Sequence, residues 1–252
     1  MIRRGLLTMK NRYTSGIETE NKIYDAAVRL FYEKGPNNTK NVEIAEKAYV
    51  HKSLINHYFG NKETLFMQIA TDERNNIYKN AKTIANGNLK LSPIIYIICF
   101  YHLMNSDKAF CRIVKDYFND FNFSTPQFRN KYSCFLKELH LVLYGDGAFL
   151  LPNEDMLCLY RRANIYFTCL VADSIFEKGN SFDSVEIARI DLLNKVIIFG
   201  KDAYDRLIPV FKEAVEVFKN DPFSSRKDFS EYFQNSIYEG FQETMEASSE
   251  CK

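Results

Sequence analysis

The sequence has no tryptophan and only 10 glycines among its 252 residues. So few glycines disfavour the many tight turns that an all-β fold requires. No segment alternates polar and apolar residues for long enough to indicate a sheet, and we find no internal repeat and no low-complexity tract. Apolar residues nevertheless make up 46% of the chain, which is enough for a sizeable core and argues against global disorder.

Signals for export or membrane insertion are also missing. The longest largely apolar run, Ile94 to Met104, spans 11 residues, whereas a membrane-spanning helix needs roughly 20. The N-terminus is basic, but no apolar stretch of signal-peptide length follows it. The cysteines occur singly, with no C-x-x-C pair, which is typical of a reduced compartment and of small core residues. We therefore predict a soluble cytoplasmic protein without disulfide bonds.

Catalytic motifs are absent as well. The sequence contains no dinucleotide-binding glycine motif, no P-loop, no G-x-S-x-G and no H-E-x-x-H. The four histidines have no metal-like spacing with the cysteines; they are His51, His57, His102 and His140. We predict that the protein is not an enzyme and holds neither a cofactor nor a metal ion.

Charge is unevenly distributed along the chain. The net charge is +1, but residues 1–70 carry 11 Lys and Arg against 7 Asp and Glu, and the remainder carries 22 against 25. A basic head on an acidic body fits a polyanionic partner at the N-terminus. A solvated N-terminal tail explains the same charges equally well.

Apolar residues recur at helical spacing throughout the chain, which predicts an all-α fold. Gly-Pro, Gly-Asn and Asn-Gly pairs end several segments, as expected from helix-stop chemistry. Four regions follow: a flexible basic arm (1–16), a three-helix DNA-binding module (17–66), a larger helical bundle (67–220) and a C-terminal extension (221–252), which we expect to be helical. The predicted helices cover 18–34, 41–47, 52–58, 62–85, 92–105, 107–122, 126–144, 153–178, 183–207, a shorter one from a kink or start at Pro209 to about 219, and 228–246.

Residues 39–62 form the most informative unit. A short helix, a three-residue turn and a second short helix make a helix-turn-helix, whose second helix enters the major groove of DNA. Ile44, Ala45, Ile55 and Phe59 are the apolar residues expected to hold the two helices together. The polar residues between them are left on the outer side, where they can bond base edges or phosphates.

Over the 50 residues from Asn21 to Ala70 the chain resembles the DNA-binding module of the TetR family, without a gap. The matching pieces are I-Y-D-A-A-V-R-L-F-Y-E-K-G (23–35), V-E-I-A-E-K-A (42–48) and V-H-K-S-L-I-N-H-Y-F-G-N-K-E-T-L-F (50–66). The resemblance implies phosphate contacts near the start of the second helix, base reading by the third helix, and a phosphate-clamping lysine before the fourth. The implied DNA-binding residues are Thr39, Lys40, Asn41, Lys52, Ser53, Leu54, Asn56, His57, Tyr58 and Lys62. For Tyr58, packing is an equal alternative, and for Leu54 a structural role is favoured.

Three residues depart from the family pattern. Tyr49 stands where a glycine is common, so the turn must adopt another geometry or hold a strained residue. His51 replaces a serine and is a poorer helix cap. Asn56 replaces a tyrosine, and because asparagine can pair at two points with adenine, it suggests an operator that contains A·T pairs.

Beyond about residue 75 the resemblance is architectural only. It implies an effector pocket among the middle helices, and a homodimer through the helices predicted at 153–178 and 183–207. The candidate pocket residues are Tyr96, Phe100, Tyr101, His102, Phe110, Phe118, Phe135, His140, Tyr166 and Phe167. For each aromatic residue taken singly, an ordinary core position is the favoured alternative. As a set they predict a small-molecule effector that is apolar or aromatic.

The sequence therefore predicts a one-component, TetR-like transcriptional regulator that binds palindromic double-stranded operator DNA as a homodimer. We expect a repressor that a small molecule releases. The alternative is an all-helical ligand-binding or scaffold protein that does not bind DNA. The operator sequence, the effector, the regulated genes and the role of residues 220–252 are outside what the sequence reveals.

Overall fold

A computed structural model describes residues 2–120, 137–145, 154–196, 199 and 202–225, with the backbone alone for 2–15, 118–120 and 154–161. The chain divides into two compact units, Met1–Asp72 and Glu73–Lys252. Every regular element among the described residues is a helix, so the predicted all-α class is confirmed.

The N-terminal unit contains α1 (Ile2–Lys34), α2 (Asn41–Ala48), α3 (Ser53–Phe59) and the start of α4 (Lys62–Ile84). Its core is built from the apolar positions that recur at helical spacing. The rings of Phe31 on α1 and Phe66 on α4 meet edge to face, with their centroids 5.5 Å apart. A hydrogen bond of 2.8 Å from the Tyr24 hydroxyl to the Asp72 carboxylate ties α1 to α4 a second time.

Helix α1 is longer than predicted. The sequence placed its start near residue 18 and a flexible arm before it, whereas the helix begins at Ile2. No proline lies between residues 2 and 34, and the segment is rich in straight-chain residues of good helix propensity. Charge clustering at the N-terminus therefore does not exclude a helix there. The predicted end is confirmed, because Gly35 adopts a left-handed φ of 87° directly after Lys34.

The C-terminal unit is organised around α5 (Ser92–Ser106), which is buried on nearly all sides. A helix that is apolar all round belongs in the middle of a bundle. It packs against α6 (Lys108–Asp120), α8 (Glu154–Phe176), α9 (Ser184–Val196) and α10 (Asp202–Asn220). Residues 137–144, here α7, are also helical. The longest apolar run of the sequence is thus the centre of a core.

Two predicted helix boundaries in this unit are wrong. The helix predicted at 183–207 ends at Val196, and a new helix begins at Asp202. Pro209 is neither a start nor an end but lies inside α10. A proline removes one helical hydrogen bond, and the buried side chains of Leu207, Phe211 and Phe218 hold the helix together across it.

Residues 222–225, which lie between the helices predicted to about 219 and at 228–246, form a short 3-10 helix, Pro222–Ser225, with Phe223 buried. The predictions for 126–136 and 228–246 fall outside the described residues. Among the residues that are described, no helix is long and apolar enough to cross a membrane.

Cys99 and Cys111 lie in the core, as predicted for thiols among apolar neighbours. Burial raises the pKa of the Cys111 thiol to about 12 and also raises the pKa of Cys99. Both thiols therefore stay protonated near neutral pH and behave as small apolar side chains. Cys169 is half-buried.

Candidate functional site

Helix α3 turns one side into the N-terminal unit and the other to solvent. Ile55 and Phe59 are 0% and 5% exposed and anchor the inner side. The outer side consists of four exposed polar residues, Lys52, Ser53, Asn56 and His57. This helix therefore presents an ammonium, a hydroxyl, an amide and an imidazole along about two turns, which is a donor-rich surface suited to base edges and phosphates.

Leu54 and Tyr58 are half-buried at the edges of this outer side. A Cβ atom added at Gly16 of α1 would lie 3.6 Å from the Tyr58 hydroxyl oxygen, so α1 passes directly beside that side chain. The Tyr58 ring also meets the His57 ring edge to face at 5.0 Å. Packing is thus part of the role of Tyr58, as the alternative interpretation allowed.

His51 caps the start of α3 in an unusual way. Its ring nitrogen Nδ1 lies 2.8 Å from the Ser53 hydroxyl oxygen and accepts the Ser53 backbone N–H at 3.4 Å. The His51 carbonyl accepts the backbone N–H of Leu54 at 3.0 Å. The histidine therefore still makes a capping contact, and the Ser53 hydroxyl is partly committed to it.

The turn between α2 and α3 contains a strained residue. Tyr49 has φ 56° and ψ 43°, the left-handed conformation. A residue with a Cβ held there costs on the order of 1–3 kcal/mol. The sequence left two outcomes for the missing glycine, a different turn geometry or a strained residue. The second is observed, since Tyr49 itself adopts the left-handed conformation.

The start of α2 is held by internal hydrogen bonds. Thr39 is 1% exposed, and its hydroxyl donates to the Gly35 carbonyl at 2.8 Å. The Glu43 carboxylate accepts the Lys40 backbone N–H at 2.7 Å; bonding to Lys34 and then to this N–H lowers the pKa of Glu43. The Lys40 side chain is exposed, and Asn41 is half-buried. The burial of Thr39 speaks against a phosphate contact by its side chain.

Lys62 reaches back from the head of α4 to the loop between α1 and α2. Its ammonium donates to the carbonyl of Pro36 at 2.9 Å and to that of Thr39 at 3.0 Å. An ammonium carries three donors, so these two carbonyls leave one for a phosphate. The sequence suggested a phosphate clamp at Lys62 but gave no sign that it also fastens the loop before α2.

Replacing Lys62 by methionine should loosen this loop. The two carbonyls lose their donor, and each such loss in a buried setting costs about 1–3 kcal/mol. We expect a lower free energy of unfolding in urea and faster amide hydrogen exchange at residues 37–43. The exposed Lys90, replaced in the same way, is the matched control. Unchanged exchange at residues 37–43 would show that the loop does not depend on Lys62.

In the C-terminal unit five of the predicted pocket residues form one continuous group of rings. Tyr96 lies 6.4 Å from Phe100, Phe100 lies 5.4 Å from Tyr101 and 5.7 Å from Phe110, and Tyr101 lies 6.4 Å from Phe167, all between ring centroids. We call this group the aromatic cluster. It joins α5, α6 and α8.

A buried polar cluster adjoins the aromatic cluster at Tyr101. Lys195 and Asp191, one helical turn apart on α9, form an ion pair of 2.5 Å with side chains that are 6% and 5% exposed. Asn164 on α8 donates its amide to the same Asp191 oxygen at 2.7 Å. Burial raises the pKa of the Tyr101 hydroxyl well above its usual value, and the negative charge of the nearby Asp191 raises it further. Burial lowers the pKa of Lys195, and Asp191 opposes that shift.

The sequence did not single out this polar cluster. An aspartate and a lysine four residues apart on a helix usually form a pair on the surface. The available signal was the apolar spacing of Ile187, Leu192 and Val196, which turns the side of α9 that bears Asp191 and Lys195 inward.

Other predicted pocket residues lie elsewhere. His102 packs against Phe218 and Phe223, at 5.6 and 6.1 Å between ring centroids. His140 packs against Tyr144 and Phe199, at 5.1 and 6.1 Å. Tyr166 is 67% exposed, so it is a surface residue of this chain and not part of the aromatic cluster. The side chains of Phe118 and Phe135 fall outside the described residues.

Helices α8 and α9 expose large apolar side chains. Tyr166 and Leu170, one turn apart on α8, are 67% and 50% exposed, and Ile190 on α9 is 38% exposed. Helices α8 and α9 pack against each other. We call these three residues the apolar face.

The N-terminal unit contains helices α1, α2 and α3, and a tight turn joins α2 to α3. This arrangement is that of a helix-turn-helix module. Residues 23–69 match the family model for bacterial regulatory proteins of the tetR family. The family model therefore covers the same stretch of the chain that carries the resemblance in the sequence.

Two solved structures are similar to the chain at low identity. One is a TetR-like transcriptional regulator from Rhodococcus sp. RHA1, 19% identical over 73% of this chain and 97% of that chain, with a TM-score of 0.40. The other is a proposed fatty acid metabolism regulator from Clostridium perfringens, 19% identical over 71% of this chain and 98% of that chain, with a TM-score of 0.41. No curated protein matches the chain.

Proposed function

We propose that the protein is a transcriptional repressor that binds a palindromic DNA operator as a homodimer and leaves it when a small-molecule effector binds. The observation that carries this proposal is the outer side of α3. Its four exposed polar residues are held outward by Ile55 and Phe59 in a module that matches the tetR family. The second helix of a helix-turn-helix needs such donors and acceptors on its outer side to read the edges of bases in the major groove.

The candidate DNA-binding residues divide by chemistry into those that can contact bases and those that can contact the phosphate backbone. Asn56 has the amide geometry to pair with adenine at two points, and His57 and Lys52 can donate to guanine or to phosphate. Lys40, Asn41 and the remaining donor of Lys62 lie near the N-terminus of α2, where free N–H groups favour an anion. Thr39 acts indirectly, since its buried hydroxyl fixes the loop that positions this helix end.

The apolar face supports dimerisation. A single recognition helix buries little surface, whereas two held about 34 Å apart read both halves of a palindrome. Tyr166, Leu170 and Ile190 leave apolar area in water that a second copy can cover by symmetry. The sequence predicted a dimer through helices at 153–178 and 183–207. The proposed interface is formed by α8 and by α9, and α9 is shorter than the helix predicted at 183–207.

The aromatic cluster and the polar cluster support an effector site in the C-terminal unit. Rings on α5, α6 and α8 suit an apolar or aromatic body, as the sequence predicted. The adjoining Asp191–Lys195 pair adds a requirement for a polar or charged group at one end, because a buried ion pair is a demanding environment for a purely apolar ligand. The effector class is therefore amphipathic.

Release of the DNA requires that the effector bind one arrangement of the dimer more tightly than the other. An effector that binds more tightly to one arrangement of the dimer shifts the population towards it, and operator affinity changes by the same coupling free energy. Helix α4 begins in the N-terminal unit and ends in the C-terminal unit, so it is the connection through which a tilt can reach α3. A regulator of this kind works in the cytoplasm, beside the chromosome.

The proposal is tested by selecting bound duplexes from a random-sequence DNA pool and measuring affinity at several salt concentrations. We expect a palindromic consensus that contains A·T pairs and an affinity that falls steeply with salt. Replacing Asn56 by alanine should relax the preference at one position of each half-site and weaken binding about tenfold, the discrimination of one two-point base contact.

Asn220→Ala, which removes an exposed neutral amide from the other unit, is the matched control and should leave both quantities unchanged. If Asn56→Ala keeps the same sequence preference, adenine reading by Asn56 is excluded. If the unaltered protein binds no duplex even at low salt, the regulator proposal fails. The alternative, a helical ligand-binding or scaffold protein, then remains.

A further inference from the structure

Tyr49 holds a position that its side chain makes unfavourable. It follows the last residue of α2 with φ 56°, where glycine is the residue without penalty. Among the described residues, Asn86 is the other non-glycine with a positive φ, and asparagine tolerates that conformation far better than a bulky aromatic residue does.

The fold gains nothing visible from the tyrosine side chain. The turn is closed by main-chain hydrogen bonds, from Tyr49 N–H to the Glu46 carbonyl at 3.1 Å and from Val50 N–H to the Ala45 carbonyl at 3.0 Å. A glycine would make both bonds. The side chain itself is 95% exposed, so it buries almost no area. A strained residue with no packing role is the pattern expected where function, not stability, sets the residue.

The position of Tyr49 indicates what the function is. It lies in the turn that leads into α3, two residues before His51 and three before Lys52, which are both exposed. The proposed function places this end of α3 in the groove. The edges of a groove are lines of phosphates, and tyrosine hydroxyls are among the side-chain donors to phosphate oxygens. An exposed, rigid phenol beside the entering helix end is suited to reach one of them.

We propose that Tyr49 is an additional DNA-binding residue, whose hydroxyl donates a hydrogen bond to a backbone phosphate at the edge of the groove that α3 occupies. This inference rests on the proposed DNA binding. Because phenol is uncharged, the contact anchors the module without displacing a counterion. It therefore raises affinity for every sequence alike and leaves the salt dependence unchanged, unlike a lysine contact.

The experiment compares Tyr49→Phe and Tyr49→Gly with the unaltered protein on the selected operator, by affinity at several salt concentrations and by thermal unfolding. We expect Tyr49→Phe to unfold at the same temperature but to bind about tenfold more weakly, as befits one hydrogen bond to a charged group. Tyr49→Gly should unfold at a higher temperature, because the strain is relieved, and still bind more weakly. Sequence preference and salt slope should be unaltered in both.

Tyr204→Phe, which removes the hydroxyl of an exposed tyrosine on α10, is the matched control and should bind like the unaltered protein. Full operator affinity in Tyr49→Phe overturns the inference, and the proposed function stands. A changed salt slope in Tyr49→Phe also overturns it, since a neutral donor does not produce one. Absence of DNA binding by the unaltered protein defeats the proposed function and this inference together, so the two failures are distinguishable.

Discussion

Replacing Leu170 by glutamate is expected to convert the protein into a monomer that no longer holds its operator. In a two-fold symmetric dimer each residue of the interface occurs twice, so the substitution places two carboxylates against the apolar face of α8 and α9. Burying even one unpaired charge costs several kcal/mol. Sedimentation or light scattering should report the mass of one chain, and operator affinity should fall by a factor on the order of a hundred or more, since one half-site remains to each molecule.

Leu89→Glu is the matched control, because Leu89 is 65% exposed at the start of the C-terminal unit and lies outside the apolar face. It should leave mass and operator affinity unchanged. Both variants should keep the helical circular dichroism of the unaltered protein, since neither side chain is in the core. A dimeric Leu170→Glu protein would show that the chains pair through another surface or not at all.

Replacing Asp191 by alanine should produce the largest loss of stability. Lys195 would stay buried without its carboxylate, and removing one partner of a buried ion pair costs about 3–5 kcal/mol. Asn164 loses the same acceptor. Urea unfolding followed by circular dichroism should show a correspondingly lower midpoint, with a similar slope.

The double substitution Asp191→Leu and Lys195→Met tests the reason for that loss. Replacing both charges by apolar groups of similar size removes the unpaired charge, so most of the stability should return. If the Asp191–Lys195 pair also binds the polar end of an effector, the double variant should still fold and bind operator DNA. An amphipathic ligand that releases the unaltered protein from the operator should then have no effect on the double variant. A double variant as unstable as Asp191→Ala would show that the ion pair itself, not the unpaired lysine, supplies the stability.

The helix-turn-helix was predictable because its signals are local. Gly35-Pro36 ends α1, Gly60-Asn61 separates α3 from α4, and apolar residues at helical spacing decide which side of each helix is buried. Since the three helices are short and joined by short turns, those local rules leave few ways to pack them. Ile55 and Phe59 are therefore buried, and Lys52, Ser53, Asn56 and His57 are exposed, as predicted, whereas Leu54 and Tyr58 are half-buried.

In the C-terminal unit, the ends of the helices were harder to predict from the sequence. The prediction of one helix over 183–207 missed the break between Val196 and Asp202, because the apolar periodicity continues on both sides. Pro209 was predicted as a kink or a helix start, and it is not a start, because α10 continues through it. Local preference was overridden there by the burial of Leu207 and Phe211, which only neighbouring helices provide.

By itself, the sequence determined the helical class, the polar outer side of α3 and the resemblance of residues 23–69 to the tetR family model, since periodicity, caps and motif spacing are properties of neighbouring residues. Tertiary structure alone decided that Tyr166 faces solvent while Tyr101 is buried, that Lys62 fastens the loop before α2, and that Asp191 and Lys195 meet in the core. The physical reason is that burial and partner choice depend on residues distant in the chain. A charged pair one helical turn apart has the same spacing at a surface and inside a core, and only the surrounding helices determine which of the two it is.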